Sequence, residues 1–353
     1  MAKLVGGGGG WVVGCGAAPL WLGFTPTKIS TPSSAMASAA PVTIRCIRGM
    51  RRDEVREEVD EGTLLLPLTF NKFPLSAQLS RQGGHCHNRY GTVKLVNTTN
   101  KVRIVMSVES PMDDHELAAR LATEAGQLLL RVREEFADAD VSERKAAGDK
   151  RSHDFLMEAL AGRRPDDAVL SEEGADDPVR LRSERVWIVD PLDGTREFSE
   201  VGRDDWAVHV ALWQAGELVA GAVALPAQGI TLATPDVAAP PAAPPKPRIV
   251  VSRTRPPAIA LAVCDALDGT LVEMGSAGAK AASVIQGFSD VYVHAGGQFE
   301  WDSAAPVAVA RAAGLHTSRI DGSALAYNQP DPKLPDLVIC RPELAQAVLA
   351  VTG

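Results

Sequence analysis

Three short segments of this 353-residue chain place carboxylates where an apolar run ends or a helix-like run begins. They are Leu170–Glu173 (LSEE), Asp190–Thr195 (DPLDGT) and Trp301–Ala305 (WDSAA). The β-branched and aromatic run Val186–Val189 predicts a strand with Asp190 at its carboxyl end. In open α/β sheets, ligands bind at that edge. The three segments are therefore interpreted as parts of one site.

The central segment has the residues of a sharp, oxygen-rich turn. Pro191 fixes the backbone and Gly194 lets it bend, so Asp190 and Asp193 are expected to face one cavity, with the Leu192 carbonyl between them. Hard oxygen donors in this arrangement favour Mg²⁺ or Mn²⁺ over zinc. Because close carboxylates repel one another when ionised, the cluster predicts bound cations.

The central and third segments together resemble a known family. Asp190–Phe198 (DPLDGTREF), followed later by Trp301–Ala305, resembles the motifs of the inositol monophosphatase superfamily of metal-dependent, lithium-sensitive phosphatases. The alternative, an ordinary Asp-rich turn, does not account for the second motif or for the paired acids upstream. The resemblance runs from Met112 to the C-terminus and implies a layered α-β-α-β-α sandwich, of the type shared with fructose-1,6-bisphosphatase.

This resemblance implies two or three Mg²⁺ ions, with Mn²⁺ as a substitute. It assigns Glu172, Asp190 and the Leu192 carbonyl to the first ion, and Asp190, Asp193 and Asp302 to the second. A third, weaker ion would lie near Glu172.

The resemblance also implies catalytic roles. Thr195, oriented by Asp149, would position and deprotonate the attacking water, and Glu173 has a weaker claim as a water-binding group. Asp149 is expected just before a helix, where the alternative interpretation is an ordinary N-cap. The amides of Gly194 and Thr195 open the next predicted helix and can bind phosphate oxygens.

Three further segments resemble the CysQ-type branch, the 3′-phosphoadenosine 5′-phosphate phosphatases of sulfur metabolism. The substrate-binding candidates within them are Ser252, Arg253, Ser276, Lys280 and Tyr327. Ser, Arg and Lys would bind the second phosphate, and Tyr327 would lie near the adenine. The alternatives are a strand-end charge for Arg253, a solvated helix residue for Lys280 and a packing aromatic for Tyr327. The segment His294–Glu300 departs from the nucleotidase pattern.

The predicted function is therefore a Mg²⁺-dependent phosphatase that removes the 3′-phosphate of 3′-phosphoadenosine 5′-phosphate, or of its sulfated form, to give AMP. The alternatives are an inositol or sugar phosphate monophosphatase, including one for fructose 1,6-bisphosphate, and a catalytically silent phosphate-binding regulator. The predicted partner is a small phosphorylated nucleotide, without nucleic acid or membrane, and a homodimer is left open.

Periodicity predicts a first half of α+β type and a second half of α/β type. A helix begins at Asp113 or Asp114, and a second follows Gly148–Lys150. Strands are predicted at Ala207–Leu212, Leu218–Leu225, Ile230–Thr234, Arg248–Ser252, Thr270–Met274, Asp290–His294 and Asp336–Cys340. Helices are predicted at Ala258–Leu267, Ala277–Gln286, Ser303–Ala313 and Pro342–Val351.

Charge divides the chain at the same place as the resemblance. Residues 1–105 contain 13 Lys and Arg against 6 Asp and Glu, whereas the whole chain has a net charge of −8. With its glycine run and its Ser-, Thr-, Ala- and Pro-rich segment, this basic part is predicted to be disordered or an upstream extension of the reading frame. The remaining predicted parts are 106–234, a proline-rich linker at 235–247, and 248–353.

Cysteine usage favours a reducing, cytoplasmic setting. The chain has 5 cysteines, an odd number, widely scattered and without a Cys-x-x-Cys pair. His85-Cys86-His87 is interpreted as an exposed polar loop, because three adjacent residues do not readily face one ion.

Overall fold

The computed structural model describes residues 112–353 in full, and in residues 1–111 only the backbone of nine strands. Contacts divide the chain into two units, Met1–Pro111 and Met112–Gly353. In the first unit, β4-β1-β2-β6, β3-β5 and β7-β8-β9 form separate sheets with antiparallel pairing. These strands are β1 (Ala2–Gly7), β2 (Gly10–Gly14), β3 (Leu22–Phe24), β4 (Val42–Ile44), β5 (Leu64–Leu66), β6 (Ser76–Ser80), β7 (His85–Asn88), β8 (Gly91–Thr98) and β9 (Lys101–Ser107).

The predicted extension, residues 1–105, falls on this first unit. Most of its backbone and all of its side chains, including those of His85–His87, lie outside the described residues. Its status as a disordered or upstream extension stays a prediction. The loop interpretation of His85–His87 is wrong for the backbone, because these residues lie in β7 and pair with β8.

Two long helices open the second unit. α1 (Asp114–Glu135) begins as predicted, because Asp113 accepts a hydrogen bond from the Glu116 amide at 2.8 Å. α2 (Val141–Arg163) runs through Asp149 without a break, so the predicted loop and helix start at Gly148–Lys150 are wrong. Gly148 serves close packing instead: a Cβ there would lie 2.7 Å from Phe198 Cε1.

The first sheet follows, in the order β10-β11-β12-β13-β14, with β10 and β11 parallel and the other pairs antiparallel. Its strands are β10 (Ala168–Ser171), β11 (Arg185–Asp193), β12 (Ala207–Gln214), β13 (Glu217–Leu225) and β14 (Ile230–Ala233), and α3 (Thr195–Ser199) follows β11. The β11–β12 register shifts between Asp190 and Asp193. This irregularity lets both carboxylates leave the sheet at one end.

The second sheet has the order β16-β15-β17-β19-β18, with β16, β15 and β17 parallel and the β17–β19 and β19–β18 pairs antiparallel. Its strands are β15 (Arg248–Ser252), β16 (Thr270–Met274), β17 (Val291–Phe299), β18 (His316–Ser318) and β19 (Lys333–Cys340). Its helices are α4 (Ala258–Ala266), α5 (Ala277–Ile285), α6 (Glu300–Ala312) and α7 (Ala345–Thr352). Proline-rich residues 235–247 join the two sheets without regular structure.

Three apolar clusters give the predicted α-β-α-β-α layering. Trp187 and Val189 of β11 pack with α1 and α2, whereas Val186 and Ile188 face α5 and α6 in the middle layer. This alternation is that of a strand buried on both faces. The third cluster lies between the second sheet and the pair α4 and α7. No helix among the described residues is long and apolar enough to cross a membrane.

Candidate active site

Carboxylates from both sheets meet at one place. Single ligand oxygens of Asp190, Asp193 and Asp302 lie within 4.8 Å of one another, and no other such group of acidic, His or Cys side chains occurs among the described residues. Asp190 and Asp193 come from the end of β11, and Asp302 from the first turn of α6. The structure thus brings together three of the predicted metal ligands across the two halves of the unit.

Asp190 is the most enclosed member of this acidic cluster. It is 1% exposed, and its Oδ1 accepts a hydrogen bond from the Leu192 amide at 3.0 Å. Burial, followed by the charges of Glu172, Asp193 and Asp302, raises the pKa of the Asp190 carboxyl well above its usual range.

Glu172 borders the acidic cluster, where its charge acts on the Asp190 carboxyl. The residue as a whole is exposed, yet desolvation of its carboxyl, with repulsion from Asp193, Glu173 and Asp149, raises its pKa to about 7. For Asp302, burial first and Asp193 second raise the pKa to about 7. These carboxyls therefore retain protons unless a cation offsets their charges.

Thr195 lies at the edge of the cluster, at the start of α3. Its hydroxyl oxygen lies 3.2 Å from Asp149 Oδ1 and 3.2 Å from the Leu192 carbonyl oxygen, either of which can accept its proton. Asp149 reaches it from the middle of α2, so a helix side chain and not an N-cap makes this contact. Burial and repulsion from Glu173 raise the pKa of Asp149 to about 6.

The turn before α3 packs tightly against the start of α5. Gly194 has a φ of +81°, and a Cβ at this position would lie 2.6 Å from Ser276 Cβ. Ser276 caps α5 by accepting from the Ala279 amide at 3.0 Å. The amides of Ala277 and Gly278 donate to Asp193 at 3.2 and 2.5 Å. The amino end of α5 therefore holds the Asp193 carboxylate in place.

His209 is a site residue that the sequence analysis missed. It is fully buried on β12, and its Nδ1 donates to the Trp301 carbonyl at 3.0 Å, next to Asp302. Its Nε2 has no hydrogen-bond partner and lies 3.4 Å from Asp193 Oδ2. Burial lowers the pKa of His209, against the opposing effect of the Asp193 charge. The available signal was a single imidazole within the apolar run Ala207–Leu212.

The predicted phosphate-binding residues Ser252 and Arg253 lie at the carboxyl end of β15. The Arg253 guanidinium donates to Glu197 Oε1 at 2.8 Å and to Glu200 Oε1 at 2.9 Å. The Ser252 hydroxyl accepts from the Arg255 amide at 3.3 Å. Arg253 therefore already has carboxylate partners, and a phosphate would have to compete with them.

Lys280 and Tyr327 are both buried, at 6% and 3% exposure. Lys280 Nζ donates to the Gly275 carbonyl and, at 2.7 Å, to the Ser276 carbonyl, so the solvated-residue alternative is wrong. Burial lowers the Lys280 pKa. The Tyr327 hydroxyl lies 3.1 Å from Ser303 Oγ, and its ring packs in the middle core. Tyr327 is therefore packed in the core, as the alternative interpretation expected, and its place near an adenine stays a prediction.

The donor set fits a hard divalent cation. The acidic cluster offers carboxylate oxygens and no thiolates. The pKa values of Glu172, Asp190 and Asp302 are raised, because neighbouring negative charges and burial disfavour their ionised forms. Oxygen-only donor sets of this kind suit Mg²⁺ or Mn²⁺. The groups that would hold the ions are Glu172, Asp190, Asp193, Asp302 and the Leu192 carbonyl.

The fold and this site define a class of protein. The chain belongs to the inositol monophosphatase family, whose sequence model matches residues 113–237 and 250–351. The chain is 53% identical to the 3′-phosphoadenosine 5′-phosphate phosphatase of Mycobacterium bovis, over 64% of this chain and 88% of that protein. It is 50% identical to the enzyme of the same name from Mycobacterium leprae, over 69% of this chain and 94% of that protein. The crystal structure of CysQ from Bacteroides thetaiotaomicron superposes with a TM-score of 0.55 at 25% identity, over 65% of this chain and 97% of that one.

Proposed function

We propose that this chain is a Mg²⁺-dependent phosphatase that hydrolyses the 3′-phosphate of 3′-phosphoadenosine 5′-phosphate to AMP and phosphate. The observation that carries the proposal is the acidic cluster of Asp190, Asp193 and Asp302 with the Thr195–Asp149 pair beside it. The identity of about half to two curated phosphatases of that name supports the choice of substrate.

When bound, Mg²⁺ neutralises phosphoryl oxygens and acidifies water, and Mn²⁺ supplies the same chemistry. Glu172, Asp190, Asp193, Asp302 and the Leu192 carbonyl would hold two or three ions. Proton transfer and substrate binding depend on the residues around these ions.

Thr195 and Asp149 form the proton-handling pair. The Thr195 hydroxyl donates to Asp149 and accepts from the attacking water, which aligns that water with the phosphorus. As the new P–O bond forms and the bond to the 3′-oxygen breaks, the water proton passes through Thr195 to Asp149, and the departing 3′-oxygen takes a proton from a solvent water. A pKa of about 6 suits Asp149 to this exchange near neutral pH.

The phosphoryl group meets backbone donors at the turn that begins α3. The amides of Gly194 and Thr195 would bind its oxygens, while Ser252, Ser276 and Arg253 would face the rest of the substrate. We further propose a cytoplasmic setting, in keeping with the two buried free cysteines Cys264 and Cys340.

One observation favours a second candidate, an inositol or sugar phosphate monophosphatase. Arg253 and Lys280, the cations proposed to bind a second phosphate, are already bonded to protein acceptors. A substrate with a single phosphate would not need them.

Phosphate release from a small panel tests the proposal. The panel contains 3′-phosphoadenosine 5′-phosphate, inositol 1-phosphate and fructose 1,6-bisphosphate, each with Mg²⁺ and with or without lithium. We expect the highest kcat/KM for the nucleotide and inhibition by lithium. A preference for inositol 1-phosphate would support the second candidate, and no release from any substrate would contradict both.

A further inference from the structure

A chain of hydrogen-bonded side chains, buried except for Asp176, connects the segment after Glu172 to the start of α6. Arg180 lies in the short 3-10 helix Pro178–Arg182 and is 1% exposed. Its guanidinium binds both oxygens of Asp176, at 2.6 and 3.0 Å, and donates to Asn328 Oδ1 at 2.9 Å. Arg180 therefore joins the Glu172 segment to the loop that follows β18.

Asn328 is the middle member of this chain. Its side-chain amide donates back to the Arg180 carbonyl at 3.1 Å, so the two residues are joined by reciprocal hydrogen bonds. Its backbone has a φ of +59°, in the left-handed region that Asn tolerates better than most residues. This conformation points the backbone N–H of Asn328 at the Glu300 carboxylate, which accepts a hydrogen bond from it at 2.6 Å.

Glu300 is the first residue of α6 and is fully buried. Its carboxylate also accepts from the Gln329 amide at 2.7 Å. Two residues later, Asp302 Oδ2 accepts from the Phe299 amide at 2.6 Å. The first turn of α6 is thus fixed from both sides of Asp302.

We propose that Arg180, Asn328 and Glu300 are positioning residues that set the distance between Glu172 and Asp302, and so the affinity for the divalent cations. The inference rests on the metal site proposed above. Glu172 directly follows β10 of the first sheet and Asp302 lies in a helix packed on the second, and the main chain joins these sheets only through the linker at 235–247. Polar groups buried this deeply are costly unless fully bonded, and the three are bonded to one another.

Asn328→Gly is the sharpest test, because glycine removes the side-chain bonds to Arg180 while suiting the left-handed backbone. The matched control is Arg248→Gln. Arg248 binds the fully buried Asp290 at 2.9 and 3.0 Å, at the amino ends of β15 and β17, the opposite edge of the sheet from Asp302. Arg180→Lys is a second variant, which keeps the charge but not the planar fork.

The first measurement is the Kd for Mn²⁺ alone, by titration calorimetry, alongside the Tm of the metal-free protein. We expect Asn328→Gly and Arg180→Lys to weaken Mn²⁺ binding about tenfold, the lower end of what loss of a group supporting a metal ligand costs. Arg248→Gln is expected to lower the Tm but to leave the Kd within twofold. Hydrogen exchange in metal-free Asn328→Gly should be faster at residues 172–182 and 299–303.

The outcomes distinguish a positioning role from a general effect on stability. Wild-type Mn²⁺ affinity in folded Arg180→Lys or Asn328→Gly would overturn the inference, as would an equal loss in Arg248→Gln, which would indicate a general stability effect. If the wild-type chain bound no Mn²⁺ at all, the proposed function would fail first, and this inference with it.

Discussion

Thr195 and Asp149 approach to 3.2 Å although they lie on different elements, the first turn of α3 and the middle of α2. Gly148, beside Asp149, makes the approach feasible: its missing side chain lets α2 lie against Phe198 of α3. The pair therefore depends on helix packing and not on a local turn.

Thr195→Ala is expected to lower kcat while leaving the Mn²⁺ affinity unchanged. A positioned proton-transfer group contributes about 10²–10⁴-fold, and the lower half of that range applies if bound metal already acidifies the water. Steady-state phosphate release measures the effect, with Thr195→Ser as the control that keeps the hydroxyl. A wild-type kcat in the alanine variant would remove Thr195 from the mechanism.

Asp190→Asn is expected to abolish turnover and yet raise the Tm of the metal-free protein. The amide keeps the shape and the acceptor for the Leu192 amide, but it removes a carboxyl whose ionised form is repelled by its neighbours. Asp167→Asn is the contrasting control, because Asp167 accepts from Arg185 and Trp187 and its loss should lower the Tm. Near wild-type activity at saturating Mg²⁺ would contradict the metal assignment of Asp190.

The metal-free protein should become less stable as pH rises from about 5 to about 8. The carboxyls of Asp149, Glu172 and Asp302 have folded pKa values of about 6, about 7 and about 7, above the value near 4 expected when unfolded. The folded state then holds more protons in this range, so its stability falls with increasing pH. Thermal melts in EDTA measure the slope, and saturating Mg²⁺ should remove it. A Tm that is flat or rises with pH in EDTA would contradict the raised pKa values of these carboxyls.

Gly278→Ala is expected to impair metal binding and activity together. The glycine has an ordinary helical φ, so the effect would come from contact alone: the new Cβ would overlap His209 Nε2 and lie 2.9 Å from Asp193 Oδ2. Gly162→Ala is the matched control in α2, where nothing lies within 4 Å, and it should stabilise by roughly 0.5–1 kcal/mol. Unchanged Mn²⁺ affinity in Gly278→Ala would show that this contact does not shape the site.

Arg253→Gln and Lys280→Met should differ in substrate dependence. Arg253 keeps 20% of its side chain exposed beside the turn, so its loss should lower kcat/KM for the bisphosphorylated nucleotide about tenfold more than for inositol 1-phosphate. Lys280 bonds backbone carbonyls at the start of α5, so its loss should lower both values by similar factors. If Arg253→Gln lowered kcat/KM equally for the nucleotide and for inositol 1-phosphate, the role of Arg253 would be only to neutralise Glu197 and Glu200.

The sequence was most informative where a local pattern determines the structure. The strands at Arg248–Ser252 and Thr270–Met274 and the helix starts at Ala258 and Ala277 are where periodicity predicts them. The carboxylate motifs predicted the acidic cluster because each lies where a strand ends or a helix begins, and the fold brings the end of β11 and the start of α6 together. Both inferences need only residue types and spacing.

Long-range packing was not predictable in the same way. α2 continues through Asp149 because Gly148 fits against Phe198, a contact that no local window contains. The short strand His316–Ser318 forms only because β19 pairs with it. Whether a lysine such as Lys280 faces solvent or backbone carbonyls depends on neighbours far along the chain. His209, Arg180 and Asn328 were missed for the same reason.

The carboxylates of the acidic cluster are translated at different times, because they lie far apart in the chain. Asp190 and Asp193 leave the ribosome well before Asp302, which follows the linker and three strands of the second sheet. Until α6 is translated and docks, the first sheet carries its carboxylates without their final partner and without the second half of the middle apolar layer. The three carboxylates of the acidic cluster are therefore together only after α6 has been translated and has docked.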